Sequence, residues 1–270
     1  MTGPALKIYG ERNSGTNFVE QLVKLNLPLK VIPNIPDVPE ALRVRARAHR
    51  MPWTCRRAYI EAAWDQIALR HDGACLGWKH RLLTGVELQR YAASTDGAVR
   101  FVAVTRNPVS WARSMHRNPF HALAPIDPDF SAFLRRPWLG VARERLDDLL
   151  LPTPIALWRL KIGAYRQLSQ AGQIALIRYE DALTDPEAVI SKLATLTDLP
   201  PPSEIRLPEG NARRFSKDDR GYADYVRAFD RTAILESVAP DDLTFILEAA
   251  GNDQVAALYP DLFETQAVPV

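Results

Sequence analysis

Ala5–Phe18 reads ALKIYGERNSGTNF: an apolar run, a glycine-bounded turn, then the start of a helical pattern. A buried strand that runs through a glycine loop into a helix is the context a phosphate-cradling loop requires. The first backbone N–H groups of a helix have no intrahelical acceptor, and the helix dipole favours an anion beside them. Gly10 and Gly15 carry the spacing of G-x-x-x-x-G-K-[ST], yet Thr16 and Asn17 stand where that pattern has Lys and Ser/Thr. The missing lysine would reach β- and γ-phosphates, and the missing hydroxyl would hold magnesium. The loop therefore suits a nucleotide whose transferred group is not a magnesium-bound γ-phosphate. Taken alone, the segment also reads as a plain βα turn with a glycine.

Three more apolar runs follow: Ala74–Trp78, Val99–Val104 and Ile174–Ile177. Short continuous apolar runs fit strands buried on both faces, as in a parallel sheet. Helical patterns alternate with them over Gly15–Leu27, Ala58–Arg70, Val86–Ala93, Pro108–His116, Ile155–Ala171 and Pro186–Leu196. Further helices are expected near Tyr222–Phe229 and Asp241–Ala250. Strand alternating with helix predicts an α/β fold of three layers, αβα, around a central, mostly parallel sheet. No composition shift marks a linker, so one domain over 1–270 is expected. Two stretches read as irregular insertions. Pro28–Arg57 holds four prolines before Met51 and six arginines, and Asn118–Pro154 includes Phe120 and Trp138. Long irregular insertions in such a domain are usually functional loops or lids, which makes both expected acceptor-binding loops.

Composition limits the function classes. A net charge of +2 with a pI near 8.5 argues against a protein that coats nucleic acid. Cys55 and Cys75 form no C-x-x-C pair and read as reduced thiols. The N-terminus lacks a signal-peptide pattern, and no apolar run reaches the length of a membrane span. The chain reads as soluble and cytoplasmic.

A second basic element follows the third apolar run: Thr105-Arg106-Asn107-Pro108, then Arg113, Ser114 and Arg117 on a helix. Pro108 fits a first helical turn, where its missing N–H costs nothing. Arg106 is then placed at the C-terminal edge of the sheet, where open α/β folds bind ligands. Its guanidinium and the Ser114 hydroxyl, eight residues on, suit a second phosphate. A surface salt bridge is the bland reading of Arg106 alone.

Together these residues resemble the sulfotransferases that use 3'-phosphoadenosine 5'-phosphosulfate (PAPS). Ser14-Gly15-Thr16-Asn17-Phe18 is similar to the family's 5'-phosphosulfate loop, with Phe18 where the family has an aromatic residue near the adenine. Thr105-Arg106-Asn107-Pro108 with Ser114 is similar to its 3'-phosphate motif. Ile177-Arg178-Tyr179-Glu180-Asp181, followed by Asp185-Pro186, is similar to the junction where a tyrosine lies near the adenine. The segments occur in family order over roughly residues 5–200. The resemblance implies a P-loop-like nucleotide-binding fold, PAPS as donor, PAP (3',5'-diphosphoadenosine) as product and no required metal. Cofactor contacts are implied at Arg12, Asn13, Ser14, Gly15, Thr16, Asn17, Phe18, Arg106, Ser114 and Tyr179. In the C-terminal cluster of Arg213, Arg214, Lys217 and Arg220, Arg213 and Arg214 are further candidates. The family has a basic residue directly before S-G-T. Here that residue is Asn13, and Arg12 stands one position earlier as the leaving-group stabiliser.

Sulfuryl transfer needs a base for the acceptor proton and cations around the departing phosphate oxygen. His80, closing Gly77-Trp78-Lys79-His80, is the expected base, and Glu11 is its rival. Lys79 is expected to stabilise the sulfuryl group. Adjacent strand residues face opposite ways, so Lys79 and His80 share a site only across a local bend. His116 and His121, in the second insertion, are expected to contact acceptor or solvent. Asp181 is expected to act structurally. The acceptor is expected to be a small molecule or glycan; the sequence specifies neither it nor the oligomeric state. A P-loop kinase or NTPase and a non-catalytic nucleotide-binding protein are the alternatives.

Overall fold

The structure is a computed structural model and describes residues 3–34, 39–119, 121–208, 222–227, 229 and 231–264. Four parallel strands form its central sheet: β1 (Ala5–Gly10), β2 (Lys30–Val31), β3 (Val99–Thr105) and the last strand, Ala175–Arg178. A two-stranded antiparallel ribbon lies between these last two in sequence, β4 (Trp138–Leu139) and β5 (Leu150–Leu151), so Ala175–Arg178 is β6. The sheet order is β2-β1-β3-β6.

Every residue of β1 is buried. Its two faces divide between two cores. Leu6 and Ile8 join Val102, Val104 and Ile177 beneath α1 (Thr16–Asn26) and a helix over Pro186–Leu196. Ala5 and Tyr9 join Val99, Phe101 and Ala103 on the other face, with Trp111, Trp158 and Tyr165 from helices over Pro108–Arg117 and Pro154–Gln170. This division is the three-layer arrangement expected from continuous apolar strands.

The helices in chain order after α1 are α2 (Pro39–His49), α3 (Trp53–Arg70), α4 (Asp72–Cys75), α5 (Gly85–Ser94), α6 (Pro108–Arg117) and α7 (Phe130–Arg135). Then come α8 (Pro154–Gln170), α9 (Tyr179–Thr184), α10 (Pro186–Leu196), α11 (Tyr222–Arg227), α12 (Arg231–Glu236), α13 (Pro240–Ala250), α14 (Asn252–Leu258) and α15 (Asp261–Glu264). Local chemistry sets several starts. Asn107, Thr153 and Asp185 cap α6, α8 and α10 through their side chains, each followed by proline in the first turn.

Two expectations fail. Ala74–Trp78 is not a strand: α4 ends at Cys75, and Leu76 and Gly77 are both left-handed, with φ of 53° and 81°. That pair turns the chain, and Cys75, Leu76 and Trp78 are buried without joining the sheet. The stretch Pro28–Arg57 is less irregular than its prolines suggest. It contains β2, α2 and the start of α3, and α2 has Pro39 first, Glu40 in its first turn and Arg47 and His49 in its last. That charge order suits the helix dipole. Among the described residues, 118–153 holds α7, the β4–β5 ribbon and a 3₁₀ turn at Ala142–Glu144, joined by stretches outside helix and strand.

Candidate active site

The loop after β1 turns through left-handed Asn13 and Gly15, with φ of 58° and 88°. Ser14 Oγ donates to the Glu11 carbonyl at 2.6 Å, closing the turn. Gly15 begins α1 with no side chain capping it, so the helix end presents backbone donors to an anion. The glycine is required: a Cβ there would lie 2.0 Å from the Tyr179 ring. Tyr179, at the β6–α9 junction, meets Phe18 edge-on at 5.8 Å, and both are buried.

Three other elements converge on this loop. Arg106, following β3, donates to the Asn13 carbonyl at 3.1 Å and to Ser110 Oγ at 2.8 Å, and lies 5.1 Å over the Tyr179 ring. Asn107 donates from its backbone and side chain to buried Glu180, each at 2.9 Å, which ties the β3 and β6 edges together. Burial raises the Glu180 pKa, with the Asn107 backbone bond pulling it down. Ser114 is buried one residue before Met115, whose sulfur accepts from Asn13 Nδ2 at 3.0 Å. Lys79 Nζ donates to Asn17 Oδ1 at 2.6 Å, and burial lowers its pKa. His80 Nδ1 donates to the Gly10 carbonyl at 2.5 Å, and Gly10 N donates to the Lys79 carbonyl at 2.9 Å. Lys79 and His80 lie in a turn, and that bend lets both reach the same loop. Arg213 and Arg214 lie outside the described residues.

Arg12 is placed differently from expectation. Its guanidinium is buried, pairs with Glu144 Oε1 and lies 3.5 Å from Glu11 Oε1. Trp78 and Trp138 flank it at 5.9 and 5.5 Å. Lys161, from α8, completes the group by pairing with both Glu11 and Glu144 and donating to the His80 carbonyl at 2.5 Å. Two carboxylates and two cations thus balance in a fully buried quartet beneath the loop. Burial pushes Glu144 up, but Arg12 and Lys161 prevail and hold it at about 2. Glu11, the rival base, is raised by burial, opposed by Lys161 and Arg12. No local spacing reveals this quartet, because its members come from three distant segments, Glu11–Arg12, Glu144 and Lys161. Lys7, unremarkable within ALKIY, is also buried; burial lowers its pKa to about 7, and it donates to the Pro33 carbonyl at 2.9 Å.

A second charged group adjoins the first across Trp78. Arg143 lies 4.4 Å over the indole, pairs with Glu61 from α3 and reaches Asp65 at 2.6 Å. His121 Nδ1 is 3.0 Å from each Glu61 oxygen. The insertion also lines an open cleft of about 260 Å³, with Ala122, Ile126, Phe133 and Trp138 among its walls. His116 is held elsewhere, with Nε2 on the Asp127 carbonyl at 2.8 Å and its ring near Phe130 and Phe133. Asp181 lies in the first turn of α9, 3.4 Å from Arg178. Among the described residues, no cluster of His, Cys, Asp or Glu has the arrangement of a metal site, and no helix is long and apolar enough to cross a membrane.

The family profile described as a sulfotransferase domain matches residues 5–217. Among solved structures, the chain is similar to the mouse sulfotransferase SULT7A1 complexed with PAP, at 13% identity over 92% of this chain and 90% of that one, with a TM-score of 0.40. It is also similar to the sulfotransferase domain of the Synechococcus PCC 7002 olefin synthase, at 12% identity over 100% of this chain and 97% of that one, with a TM-score of 0.42. No curated protein matches the sequence.

Proposed function

The chain belongs to the sulfotransferase domain family and is an enzyme of sulfuryl transfer, and we propose that it takes the group from PAPS held over the Gly10–Phe18 loop. The observation that carries this reading is the uncapped start of α1 with two cations, Lys79 and Arg106, bonded to the loop's own atoms. The 5'-phosphosulfate would accept from the backbone of Ser14, Gly15, Thr16 and Asn17. Arg106 and Ser114 would hold the 3'-phosphate, with Arg213 and Arg214 as further ligands. Tyr179 and Phe18 would border the adenine.

In the reaction the acceptor oxygen attacks sulfur in line, the bridging S–O bond breaks, and its electron pair leaves with PAP. Lys79, bonded to Asn17 in the first turn of α1, would stabilise that charge. Arg12 would support the loop from within, through Glu144, and His80 would fix its first carbonyl. The 118–154 insertion would receive the acceptor, a small molecule or glycan hydroxyl, as part of one domain acting in the cytoplasm.

The test is transfer of radiolabel from [³⁵S]PAPS to fractionated cell extract. A labelled product is expected from at least one fraction, and PAP should bind as tightly with EDTA as with magnesium. Binding that needs magnesium, together with ATP turnover, would replace this reading with a nucleotide kinase.

A further inference from the structure

Two histidines stand at the edges of the Trp78 indole, His80 at 5.0 Å and His121 at 5.4 Å between ring centroids. Their electrostatic surroundings differ. His80 gives its Nδ1–H to a neutral carbonyl, and Lys79, His121 and Lys161 all oppose a charge on its ring. A proton added to that ring would place positive charge beside positive charge. Burial and Lys79 together push its pKa well below 6.5.

His121 faces a carboxylate. An ionised carboxylate only accepts hydrogen bonds, so the two Glu61 oxygens at 3.0 Å favour a hydrogen on Nδ1 and a lone pair on Nε2, against the single Arg143 donor at 2.9 Å, which favours the reverse. Arg143 Nη2, also 2.9 Å from Nδ1, binds the same carboxylate. The charged groups around the ring are Glu61 and Asp65 from α3, Arg143 from the 3₁₀ turn and Arg12 from the donor loop. Arg12 is balanced within its own quartet. Glu61, Asp65 and Arg143 leave one negative charge, which an imidazolium at His121 would cancel. Burial lowers the His121 pKa, and Glu61 opposes the fall.

Placement agrees with this chemistry. Asn13 Nδ2 donates to the Asn118 carbonyl at 3.0 Å, and Arg57 donates to the Pro119 carbonyl at 2.6 Å, which ties the histidine's segment to the donor loop and to α3. His121 holds a left-handed backbone, with φ of 58°, a conformation costly for a residue with a side chain. Its side chain is 28% exposed, against 8% for His80.

We propose that His121, oriented by Glu61, is the base that takes the acceptor's proton. The proposal rests on the sulfuryl-transfer reading above. The acceptor O–H proton passes to His121 Nε2 as the oxygen bonds to sulfur. The bridging S–O bond breaks toward PAP, and the imidazolium, paired with Glu61, later loses its proton to solvent.

The test uses the full chain, [³⁵S]PAPS and an extract fraction that the parent labels. His121→Gln keeps a donor toward Glu61 and removes the base. Transfer should fall about 10²-fold or more, PAP affinity by calorimetry should hold, and added imidazole should restore part of the rate. His80→Ala should instead weaken PAP binding and show no imidazole rescue. Transfer by His121→Gln within about threefold of the parent, far less than a lost base costs, or rescue at His80→Ala alone, overturns the proposal. Should His121→Gln also lose PAP affinity, ¹⁵N-histidine NMR of the parent decides. A protonated Nε2 with a bare Nδ1 overturns the assignment; a bare Nε2 whose ring pKa drops in Glu61→Gln supports it. A parent that labels no fraction overturns the PAPS reading, and this proposal with it.

Discussion

In the Gly10–Phe18 loop, shape is set from within: left-handed Asn13 and Gly15, the Ser14 bond to Glu11, and a helix that starts on glycine. In the 118–154 insertion, shape is set by charges that arrive from elsewhere. Glu144 is held by Arg12 and Lys161, Arg143 by Glu61 and Asp65, and His121 by Glu61. The first kind of order is carried by neighbouring residues and tolerates little change in backbone. The second depends on complementary groups far apart in sequence, and it fails when one of them is removed. The two regions meet at Arg12, which belongs to the loop by sequence and to the insertion by contact.

The largest expected effect lies at that junction. Glu144→Ala leaves Arg12 and Lys161 to share the Glu11 carboxylate in the interior. Removing one partner of a buried ion network costs about 3–5 kcal/mol, to be read by urea denaturation at pH 7. The pH profile gives the sign. Glu144 has its pKa lowered from 4.5 to about 2, so its contribution is full above 4.5 and is lost as pH falls toward 2. Glu144→Ala should therefore differ most from the parent at neutral pH, with the gap narrowing in acid. An equal gap across that range would mean the loss is one of packing, and the contrast between the two regions would weaken.

The same contrast explains what the sequence revealed. The strands β1, β3 and β6, the glycine loop, the Asn107–Pro108 start of α6 and the Tyr179 junction are all written in consecutive residues. Each was legible for that reason. Ala74–Trp78 misled because continuous apolar residues signal burial, and only the backbone of Leu76 and Gly77 distinguishes a buried turn from a buried strand. The helix α2 was hidden by prolines that precede it. Arg12 was misplaced because its partner, Glu144, follows no spacing rule that links it to the loop. His121 reads in the sequence only as a contact to acceptor or solvent, since its pairing with Glu61 follows no spacing rule.

Within the loop, Gly15→Ala tests order set by the backbone. The left-handed conformation costs a residue with a Cβ about 1–2 kcal/mol, and forcing the Tyr179 ring aside adds about 1–3 kcal/mol of overpacking. The two terms separate in a double-mutant cycle. In a Tyr179→Ala background, Gly15→Ala should cost only the backbone strain. An unchanged cost in that background would show that Tyr179 is not what the loop presses against, and the loop would then depend on remote groups no less than the insertion does.

The smallest effects concern ligand affinity, and they ask whether the loop's outer cations act locally too. Arg106 has two partners already, the Asn13 carbonyl and Ser110 Oγ, so its removal can disturb the loop as well as the 3'-phosphate. AMP separates these roles because it lacks that phosphate. A charge-assisted bond to phosphate contributes about 1.5–3 kcal/mol. Arg106→Ala should therefore reduce the preference for PAP over AMP by roughly 10- to 150-fold. Any fall in AMP affinity measures what Arg106 contributes to the loop through Asn13. Ser114 offers a neutral hydroxyl, worth about 0.5–1.5 kcal/mol, and no hydrogen bond joins its side chain to the loop among the described residues. Ser114→Ala should lower the preference by only about 2- to 12-fold and leave AMP binding unchanged. Calorimetry with both ligands on both variants gives the four numbers. If Ser114→Ala weakened AMP as well, the residue would act through the packing of α6 beneath Asn13. If Arg106→Ala kept the full preference, the 3'-phosphate would belong to Arg213 and Arg214, and Arg106 would be a strut of the loop.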